Sequence, residues 1–407
     1  MKRVVVTGMA GISPLGNDLT TVLERLRSER NAVQRIAAWA DFEGLNTHLG
    51  APAAPFELPQ HYTRKATRSM GRVALMAVRS AELALQQAGL LNHPLLTSGQ
   101  VGISYGSSSG TPDAIGDFGQ MLMNKTTSGI NANTYLKMMS HTAPVNMGVF
   151  FGVTGRVIPT SSACTSGSQG IGYAYEAIKF GRQVAMIAGG AEELSATQAA
   201  VFDTLFATSV RNEQPELTPR PYDRNRDGLV IGEGACTLIL EEREHAVARG
   251  ASIFAEVVGF GCNSDGTHVT QPNADTMRAA MQLALQDAGL PADQIGYINA
   301  HGTATTHGDI AESHAVHQLF GQRTPMSSLK SYMGHTLGAC GALEAWMSIG
   351  MMHENWYAPN INLEEIDPAC AELDYIRHGG RARQCEFTMS NNFAFGGINT
   401  SLIFKRP

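Results

Sequence analysis

One cysteine of the chain, Cys164, lies in the stretch TSSACTSGSQG (160–170), where almost all neighbouring side chains are small. The stretch follows the strand-like run GRVIPTSSA and precedes a helical pattern that begins near Thr165. A thiol at a helix N-terminus has its pKa lowered by the helix dipole, and the first turn offers free backbone N–H groups to an oxyanion. The small neighbours would let a substrate carbonyl reach the sulfur. We therefore expect a nucleophile here, with a buried inert thiol as the alternative.

Two histidines occupy similar settings. His301 ends an apolar strand in NAHGTATTHGD. His335 stands between a glycine and a small-residue helix in SLKSYMGHTLGACGALE, which also contains Lys330 and Glu344. Each histidine alone could be a structural side chain. In α/β folds, however, ligands gather where strands end, so one cysteine and two histidines at such turns predict a single catalytic site.

Two segments of the chain are nearly identical to each other. Residues 83–90 are LALQQAGL and residues 283–290 are LALQDAGL. Each ends a helical pattern at Ala-Gly, where glycine suits the left-handed conformation that stops a helix. Each is followed by an apolar strand, QVGISYGSSSG from 100 and QIGYINAHGTA from 294. The matched units predict a duplicated α/β half, with chance similarity of Ala- and Leu-rich helix ends as the alternative.

Further strands alternate with helices along the rest of the chain. The patterns predict strands over 184–193, 235–242 and 387–397, and a helix over 168–182. This alternation predicts mainly parallel sheets with helices between the layers. Because no low-complexity linker is present, we expect one rigid unit of two halves. The predicted boundary is near 250, which leaves the nucleophile in 1–250 and both histidines in 251–407.

Composition limits the class of protein. A chain of 407 residues, 43% hydrophobic and 16% charged, can bury one large core or two cores of about 150–200 residues. A net charge of −6 argues against general nucleic-acid binding. The six cysteines include no CxxC pair, which predicts reduced thiols in a cytoplasm. No apolar run of about 18 residues predicts a transmembrane helix, and MKRVVVTGMAG is typical of a strand rather than a signal peptide.

Four motifs, in order, resemble those of the β-ketoacyl-acyl-carrier-protein synthases: SSACTSGSQGI, NAHGTATTHGD, SLKSYMGHTLGACGALE and NNFAFGGIN. The similarity extends from VVVTGMAGISPLG through RPYDRNRDGLVIGEGA to SLIFKRP, nearly the whole chain. The elongating type II branch with a Cys-His-His triad fits best, because initiating relatives carry Asn where His335 stands. The resemblance implies a thiolase-type α/β fold, with two related halves in α-β-α-β-α layers. That fold agrees with the internal repeat.

The resemblance also implies a ping-pong condensation. Cys164 would attack an acyl-carrier-protein thioester and hold the acyl chain. Malonyl-carrier protein would then lose carbon dioxide, and its carbanion would attack the acyl-cysteine to give a 3-ketoacyl thioester two carbons longer. No metal and no free cofactor is implied, because phosphopantetheine arrives on the acyl carrier protein. The implied pathway is fatty-acid or polyene and polyketide chain elongation.

The remaining site residues follow from the same resemblance. His301 and His335 would donate imidazole N–H bonds to the developing enolate, with Lys330 and Glu344 orienting the pair. The backbone N–H groups of Cys164 and Phe395 would form a second oxyanion site. The other implied residues are the gate, Phe395 with Phe393, Gly396 and Gly397, the substrate-binding Thr303 and Thr305, and Ser109 in the acyl pocket. Core packing is the alternative for the two phenylalanines.

The carrier protein is acidic, so its docking surface should be basic. The stretches TRKATRSMGR and VRNEQPELTPR offer six cations: Arg64, Lys65, Arg68, Arg72, Arg211 and Arg220. The spacing of the first four predicts one helical face, with a solvated surface helix as the alternative. The resemblance implies a homodimer, or a heterodimer with a related subunit.

Several positions depart from the family's usual residues. They are the pair Thr306-His307, Leu329 and Ile398. Because of these departures, the resemblance does not imply which acyl chain is the substrate. Many relatives carry a bulky aliphatic residue where Ser109 stands, so a longer, stiffer or unsaturated chain is expected to fit. The stretch YTRKATRSMGRVAL is similar to the ketosynthases of aryl-polyene pigment clusters.

Four other functions are possible for a chain with these residues. A chain-length-determining subunit of a heterodimer would lose the nucleophile, which this chain has. A thiolase acting on coenzyme A needs a second cysteine in the Gly-rich turn, and FAFGG has none. A Cys-His hydrolase gives Lys330 and the second histidine no role. The last hypothesis is a metal site built from His301, His307, Asp309, His314 and His317.

Overall fold

The computed structural model describes residues 1–407. The strands are β1 (Val4–Ile12), β2 (Gln34–Arg35), β3 (Leu49–Ala51), β4 (Val101–Gly106), β5 (Val157–Pro159), β6 (Ala185–Glu192), β7 (Ile231–Gly232), β8 (Gly234–Glu242), β9 (Ala255–Ser264), β10 (Ile295–Asn299), β11 (Met326–Ser327), β12 (Trp356–Tyr357), β13 (Arg381–Ala382), β14 (Phe387–Phe393) and β15 (Ile398–Lys405). The helices are α1 (Leu19–Arg27), α2 (Arg64–Thr67), α3 (Arg72–Gln87), α4 (Pro112–Asn124), α5 (Ala132–Met138), α6 (Thr142–Phe151), α7 (Ser166–Lys179), α8 (Ala196–Asp203), α9 (Arg243–Ala248), α10 (Ala274–Ala288), α11 (Thr306–Phe320), α12 (Lys330–Met333) and α13 (Cys340–Glu354).

Ten strands form one continuous sheet in the order β11-β10-β14-β15-β9-β1-β8-β6-β4-β5. From one edge, β5, β4 and β6 pair in parallel, and β8 and β1 continue antiparallel. From the other edge, β11, β10 and β14 pair in parallel, and β15 and β9 continue antiparallel. The two half-sheets have the same order and the same strand directions, and they join where β1 pairs with β9. The predicted duplication of an α/β half is confirmed.

The predicted strand direction was wrong in part, because the sheet is mixed rather than mainly parallel. The last two strands show the reason. Only residues 394–397 separate β14 from β15, and so short a connection can join only antiparallel neighbours. Parallel directions are kept where a helix crosses over, as from β5 through α7 to β6, two strands that both pair in parallel with β4.

Helices lie on both sides of the two half-sheets and between them. α7 and α13 pack against each other in the middle layer, and α7 contacts β4 and β6 on one side and β9 and β15 on the other. α3 covers the outside of the first half-sheet, and α10 covers the outside of the second. The layers are therefore α-β-α-β-α, as the resemblance implies. None of the helices has the length and apolar character needed to cross a bilayer.

The repeated sequence segments end equivalent outer helices. LALQQAGL closes α3 and LALQDAGL closes α10, and the next strands, β4 and β10, hold the same place in the two half-sheets. Gly89 has φ +68° and Gly289 has φ +67°, so both glycines adopt the predicted left-handed conformation. We propose the boundary between the two halves near residue 250, in the connection from α9 to β9.

The small residues around Cys164 have a packing role that the sequence does not show. A Cβ atom on Gly167 would lie 2.9 Å from the backbone nitrogen of Ala342, and one on Gly341 would lie 2.7 Å from that of Ser168. Both distances are too short for real side chains, so glycine is required where α7 crosses α13. The small-residue stretch therefore lets the two central helices approach closely, which brings the N-terminal ends of α7 and α13 together.

Candidate active site

Cys164 lies in a single 3-10 turn, residues 163–165, immediately before α7. Ala163 has φ +51°, a left-handed conformation that alanine rarely adopts, so the chain bends sharply just before the thiol. The cysteine is 3% exposed. Its Sγ atom is 3.0 Å from Nε2 of His335, a residue 171 positions away in the sequence.

The pKa of the Cys164 thiol is raised. Burial raises it, while hydrogen bonds from the backbone N–H groups of Phe395 and Cys164 and the nearby Lys330 ammonium lower it. The sequence predicts a lowered pKa, and this prediction is wrong, because removal from water disfavours the thiolate more than the local donors favour it. The same two N–H groups nevertheless act on the sulfur, so they lie near the position of an oxyanion formed beside it.

His301 and His335 enter the site from different segments and meet with their rings at 87° and their centroids 5.2 Å apart. Nδ1 of His301 is 3.3 Å from Nζ of Lys330, and Nδ1 of His335 is 3.3 Å from the backbone nitrogen of Leu337. An ammonium and an amide can only donate, so each Nδ1 is an acceptor. Each imidazole therefore carries its proton on Nε2.

Both imidazoles are neutral. Burial lowers the pKa of His301 and His335 well below the usual value, and the Lys330 charge lowers both further. Burial also acts against the charged form of Lys330, but Glu344 outweighs it and raises the pKa of the ammonium. Lys330 forms an ion pair with Glu344, which also accepts a hydrogen bond from Asn392 at 2.7 Å. The site thus contains two neutral N–H donors, His301 held by this buried ion pair and His335 held by the backbone N–H of Leu337.

One supporting residue escaped the sequence analysis. Glu312, in α11, accepts hydrogen bonds from the backbone N–H groups of His301 and Gly302, both at 2.7 Å, and from the Tyr222 hydroxyl at 2.8 Å. The carboxylate fixes the turn that presents His301. An acidic residue shortly after the NAHGTATTHGD motif was visible in the sequence, but nothing local showed that α11 folds back onto the end of β10.

A cavity of about 550 Å³ opens onto the three reactive side chains. The residues predicted for the site that line it are Cys164, His301, His335, Thr303, Thr305, Phe393, Phe395 and Gly397. Phe393 is buried against His301, with ring centroids 6.1 Å apart. Phe395 is half-buried and meets Phe202 of α8 edge to face at 5.9 Å. The hydroxyls of Thr303 and Thr305 are 2.9 Å apart.

The two glycines after Phe395 are required by backbone conformation. Gly396 has φ +91° and Gly397 has φ +78°, which favour glycine. A Cβ atom on Gly397 would also lie 2.8 Å from the side chain of Asp265. The exposed Gly396 donates its N–H to the carbonyl of Val269 at 2.8 Å, and the carbonyl of Gly397 accepts the N–H of Asp265 at 2.7 Å, so two backbone bonds attach the Phe395 loop to the neighbouring segment.

Ser109 and the unusual positions lie in different environments. Ser109 is half-buried, with Gln198 3.5 Å away, and it does not line the cavity at Cys164. His307 is exposed at the start of α11 and does line the cavity. Leu329 is fully buried in the core, and Ile398 is half-buried at the start of β15. The acyl-pocket role of Ser109 stays a prediction.

Metal binding does not suit the site. Potential ligand atoms of Cys164, His301 and His335 lie within 4.8 Å of one another. The Lys330 ammonium, however, is 3.3 Å from His301 and shares the same buried space, so it would repel a cation. The other hypothesised metal site is not assembled, because Asp309 faces Arg226 at 3.4 Å and His314 bonds the carbonyl of Ala369 at 3.0 Å.

The predicted docking cations divide into two groups. Arg64, Lys65 and Arg68 are exposed and form no ion pair. With Lys137 of α5, which the sequence analysis did not include, Arg64 and Arg68 line a surface cavity of about 400 Å³. We call these four residues, Arg64, Lys65, Arg68 and Lys137, the basic patch.

Three predicted docking residues are engaged elsewhere. Arg72 begins a separate helix, α3, so it does not share a helical face with the others, and it forms an ion pair with Glu233 at 2.6 Å. Arg220 is 5% exposed and pairs with Asp223 at 3.2 Å, so its predicted docking role is wrong. Arg211 is half-buried and lies 3.5 Å from Asp227. Sequence spacing could not show these long-range partners.

Comparisons with known proteins agree along the full chain. The family model for "Beta-ketoacyl synthase, N-terminal domain" matches residues 1–246, and that for the C-terminal domain matches residues 254–364. The chain is 36% identical to 3-oxoacyl-[acyl-carrier-protein] synthase 2 of Vibrio cholerae, across 100% of this chain and 99% of that one. It is similar to the crystal structure of a beta-ketoacyl synthase from Burkholderia phymatum, with TM-score 0.99 and 60% identity over 100% of both chains. The ishigamide ketosynthase/chain length factor matches with TM-score 0.90 and 29% identity over 100% and 99%.

Proposed function

The chain belongs to the β-ketoacyl synthase family, and from this premise we propose that Cys164, His301 and His335 together catalyse the condensation. The enzyme is an acyltransferase that forms a carbon–carbon bond: malonyl-acyl-carrier protein loses carbon dioxide and extends an acyl chain to a 3-ketoacyl-acyl-carrier protein. It needs no free cofactor, because the phosphopantetheine arrives on the carrier protein. One observation carries the residue assignment. Sγ of Cys164 lies 3.0 Å from Nε2 of His335, and Nδ1 of the same imidazole accepts a backbone N–H, which keeps the proton on Nε2.

Acyl transfer comes first. The Cys164 sulfur attacks the acyl thioester carbonyl and expels the carrier-protein thiol, which takes up the proton that the cysteine gives up. The tetrahedral oxyanion is held by the backbone N–H groups of Cys164 and Phe395, which already lower the pKa of the sulfur against the effect of burial. Phe395 lies beside the cavity, so displacement of its loop would open the space in which the acyl chain lies.

Decarboxylation follows on the acylated enzyme. As carbon dioxide leaves the malonyl group, negative charge grows on the thioester oxygen, and the Nε2–H groups of His301 and His335 donate to it. Two Nε2–H donors suit this step, because an imidazole that turned an unprotonated nitrogen towards the enolate would repel its negative charge. The enolate carbon then attacks the acyl carbonyl, and the Cys164 sulfur leaves. Thr303 and Thr305, which line the cavity, supply hydroxyls for the pantetheine amides.

The experiment that tests this function is a product assay. The protein is incubated with malonyl-carrier protein and a panel of acyl-carrier proteins, and the products are weighed by mass spectrometry. We expect 3-ketoacyl products two carbons longer than each accepted primer. Release of free acids without chain extension would contradict the proposal in favour of a hydrolase. The panel should include aryl and polyene primers, because we propose that the natural chain is long, stiff or unsaturated, as in aryl-polyene synthesis.

Ser109 offers a sharp test of that substrate class. Ser109→Ile is expected to slow condensation with long primers by roughly tenfold to a hundredfold, because overfilling a packed pocket costs about 1–3 kcal/mol. Short primers stop before the obstruction and should be unaffected. The measurement is the condensation rate over a chain-length series, with Ser109→Ala as the matched control of unchanged bulk. Equal losses for short and long primers would show that Ser109 does not line the tunnel.

We also propose that the basic patch docks the carrier protein. Its cations carry no acidic partner within the chain, so they are free to pair with an acidic helix. Arg64→Glu combined with Arg68→Glu should raise KM for carrier-protein substrates by about tenfold or more at low salt, and less at high salt.

Two controls separate docking from catalysis. Arg323→Glu reverses an exposed cation outside the patch and should leave KM unchanged. Reaction with a short pantetheine thioester, which has no protein to dock, should be equal in the double variant and the parent. A parallel loss with both kinds of substrate would contradict a docking role.

A second copy of the chain is the partner we propose for the β5 edge of the sheet. The opposite edge, β11, is covered, with Met326 0% exposed, whereas Val157 of β5 is 42% exposed and Val149 of the adjacent α6 is 83% exposed. An open apolar edge strand is a pairing surface, and two identical edges bury the same patch twice. Native mass spectrometry tests the assignment: twice the chain mass supports a homodimer, and a second, different subunit contradicts it.

We place the enzyme in the cytoplasm, where its free thiols persist.

A further inference from the structure

Glu192, at the end of β6, is a buried carboxylate that the proposed mechanism does not use. It is 0% exposed and forms no ion pair. Its Oε2 atom accepts the backbone N–H groups of Ser108 and Gly338, both at 2.9 Å, and Oε1 accepts from Nε2 of Gln198 at 2.8 Å. A buried polar group is costly unless it is hydrogen-bonded, so three converging donors indicate a built position rather than an accident of packing.

The Gly338 turn is the counterpart of the nucleophile turn in the second half-repeat. A 3-10 turn at 163–165 precedes α7, and another at 337–339 precedes α13. Each begins with a non-glycine residue of left-handed conformation, Ala163 at φ +51° and Leu337 at φ +45°. Gly338 therefore corresponds to Cys164. The backbone N–H of Cys164 stabilises its own thiolate, whereas the matching N–H of Gly338 donates to Glu192.

This occupied turn is also the one that holds His335. The backbone N–H of Leu337 donates to Nδ1 of His335 at 3.3 Å and so keeps the proton on Nε2. Leucine seldom adopts φ +45°, so the turn relaxes unless its neighbours fix it. The bond from Gly338 to Glu192 fixes the peptide that directly follows Leu337.

We propose that Glu192 is a positioning residue that holds the 337–339 turn and thereby keeps His335 as an Nε2–H donor towards the malonyl thioester. The role rests on the proposed function of His335. Without the carboxylate, the N–H groups of Ser108 and Gly338 lose their acceptor inside the protein. The turn then relaxes, Nδ1 loses its donor, and the imidazole proton is free to move to the wrong nitrogen.

The test separates the two half-reactions. Glu192→Leu should slow carbon dioxide release from malonyl-carrier protein on the order of a hundredfold, the scale of one lost oxyanion donor, and change Cys164 acylation by less than about threefold. Glu192→Gln keeps an oxygen acceptor and should recover about tenfold of that loss. Nitrogen NMR of His335 should show protonation shared between Nδ1 and Nε2 in Glu192→Leu. Glu241→Gln is the matched control. Glu241 is a buried carboxylate of β8 that pairs with Arg249, and its replacement should change neither step.

Each outcome decides between the hypotheses. Equal losses in both half-reactions, with an unchanged imidazole spectrum, would reduce Glu192 to a packing role. If Glu192→Leu does not fold, Glu192→Gln decides alone: a selective loss supports the proposal, and parent rates with a parent spectrum overturn it. His335→Ala distinguishes the two levels of inference. Normal carbon dioxide release in His335→Ala would refute the function proposed for His335. Slow release in His335→Ala together with normal release in Glu192→Leu would refute only the positioning role of Glu192.

Discussion

Cys164→Ala is expected to abolish both acyl transfer and condensation while leaving the fold intact. The sulfur is the only thiol that lines the catalytic cavity, so no other side chain can hold the acyl chain. Alanine suits the position because its neighbours in the 163–165 turn and at the start of α7 are small and closely packed. Loss of one buried sulfur atom should lower the free energy of unfolding by about 1–2 kcal/mol at most.

The measurements are the mass of the protein after incubation with an acyl-carrier protein and its thermal unfolding curve. Cys340→Ala is the matched control. Cys340 is also fully buried, and its thiol lies 3.2 Å from the carbonyl oxygen of Cys164, yet it does not line the cavity. The control should retain one acyl group on Cys164. An acyl adduct on any other cysteine, in either protein, would contradict the assignment of the nucleophile.

His301→Ala and His335→Ala should each slow carbon dioxide release from malonyl-carrier protein by at least about a hundredfold. Each removes one N–H donor to the enolate oxygen, and a lost oxyanion donor typically costs about 2.7–4 kcal/mol in the barrier. Acylation of Cys164 should persist in His301→Ala, because only His335 lies within hydrogen-bonding distance of the sulfur. The measurements are carbon dioxide release and acyl-adduct formation, made separately on each variant.

The pH profile gives an independent check on the same donors. The pKa of both imidazoles lies well below the ordinary value, so both remain neutral as pH rises through about 6.5. The two imidazoles should therefore contribute no pH dependence to carbon dioxide release between about pH 6 and 8. A release rate that increased as pH fell through about 6.5 would indicate an imidazolium donor instead. His353→Ala, an exposed histidine that bonds the carbonyl of Phe254, is the control and should change nothing.

The sequence alone identified the residues to which we assign the chemistry. Cys164, His301, His335 and Lys330 each lie in a short stretch of glycine and small residues, and such turns are legible without coordinates because their chemistry is local. The duplicated fold could be predicted for the same reason, since two segments of nearly identical sequence end equivalent helices, α3 and α10. Local patterns also predicted the left-handed glycines that end those helices.

Tertiary structure decided everything that depends on burial and on partners far apart in the chain. Desolvation raised the pKa of Cys164, although its place before a helix predicts the opposite. Arg220 is buried against Asp223, which removes it from the docking surface, and Arg72 forms an ion pair with Glu233. The mixed strand directions followed from how connections cross the sheet, and the role we propose for Glu192 depends on a turn 146 residues away. Residue type and spacing report what a side chain can do, but only the folded chain sets its solvent, its charge and its neighbours.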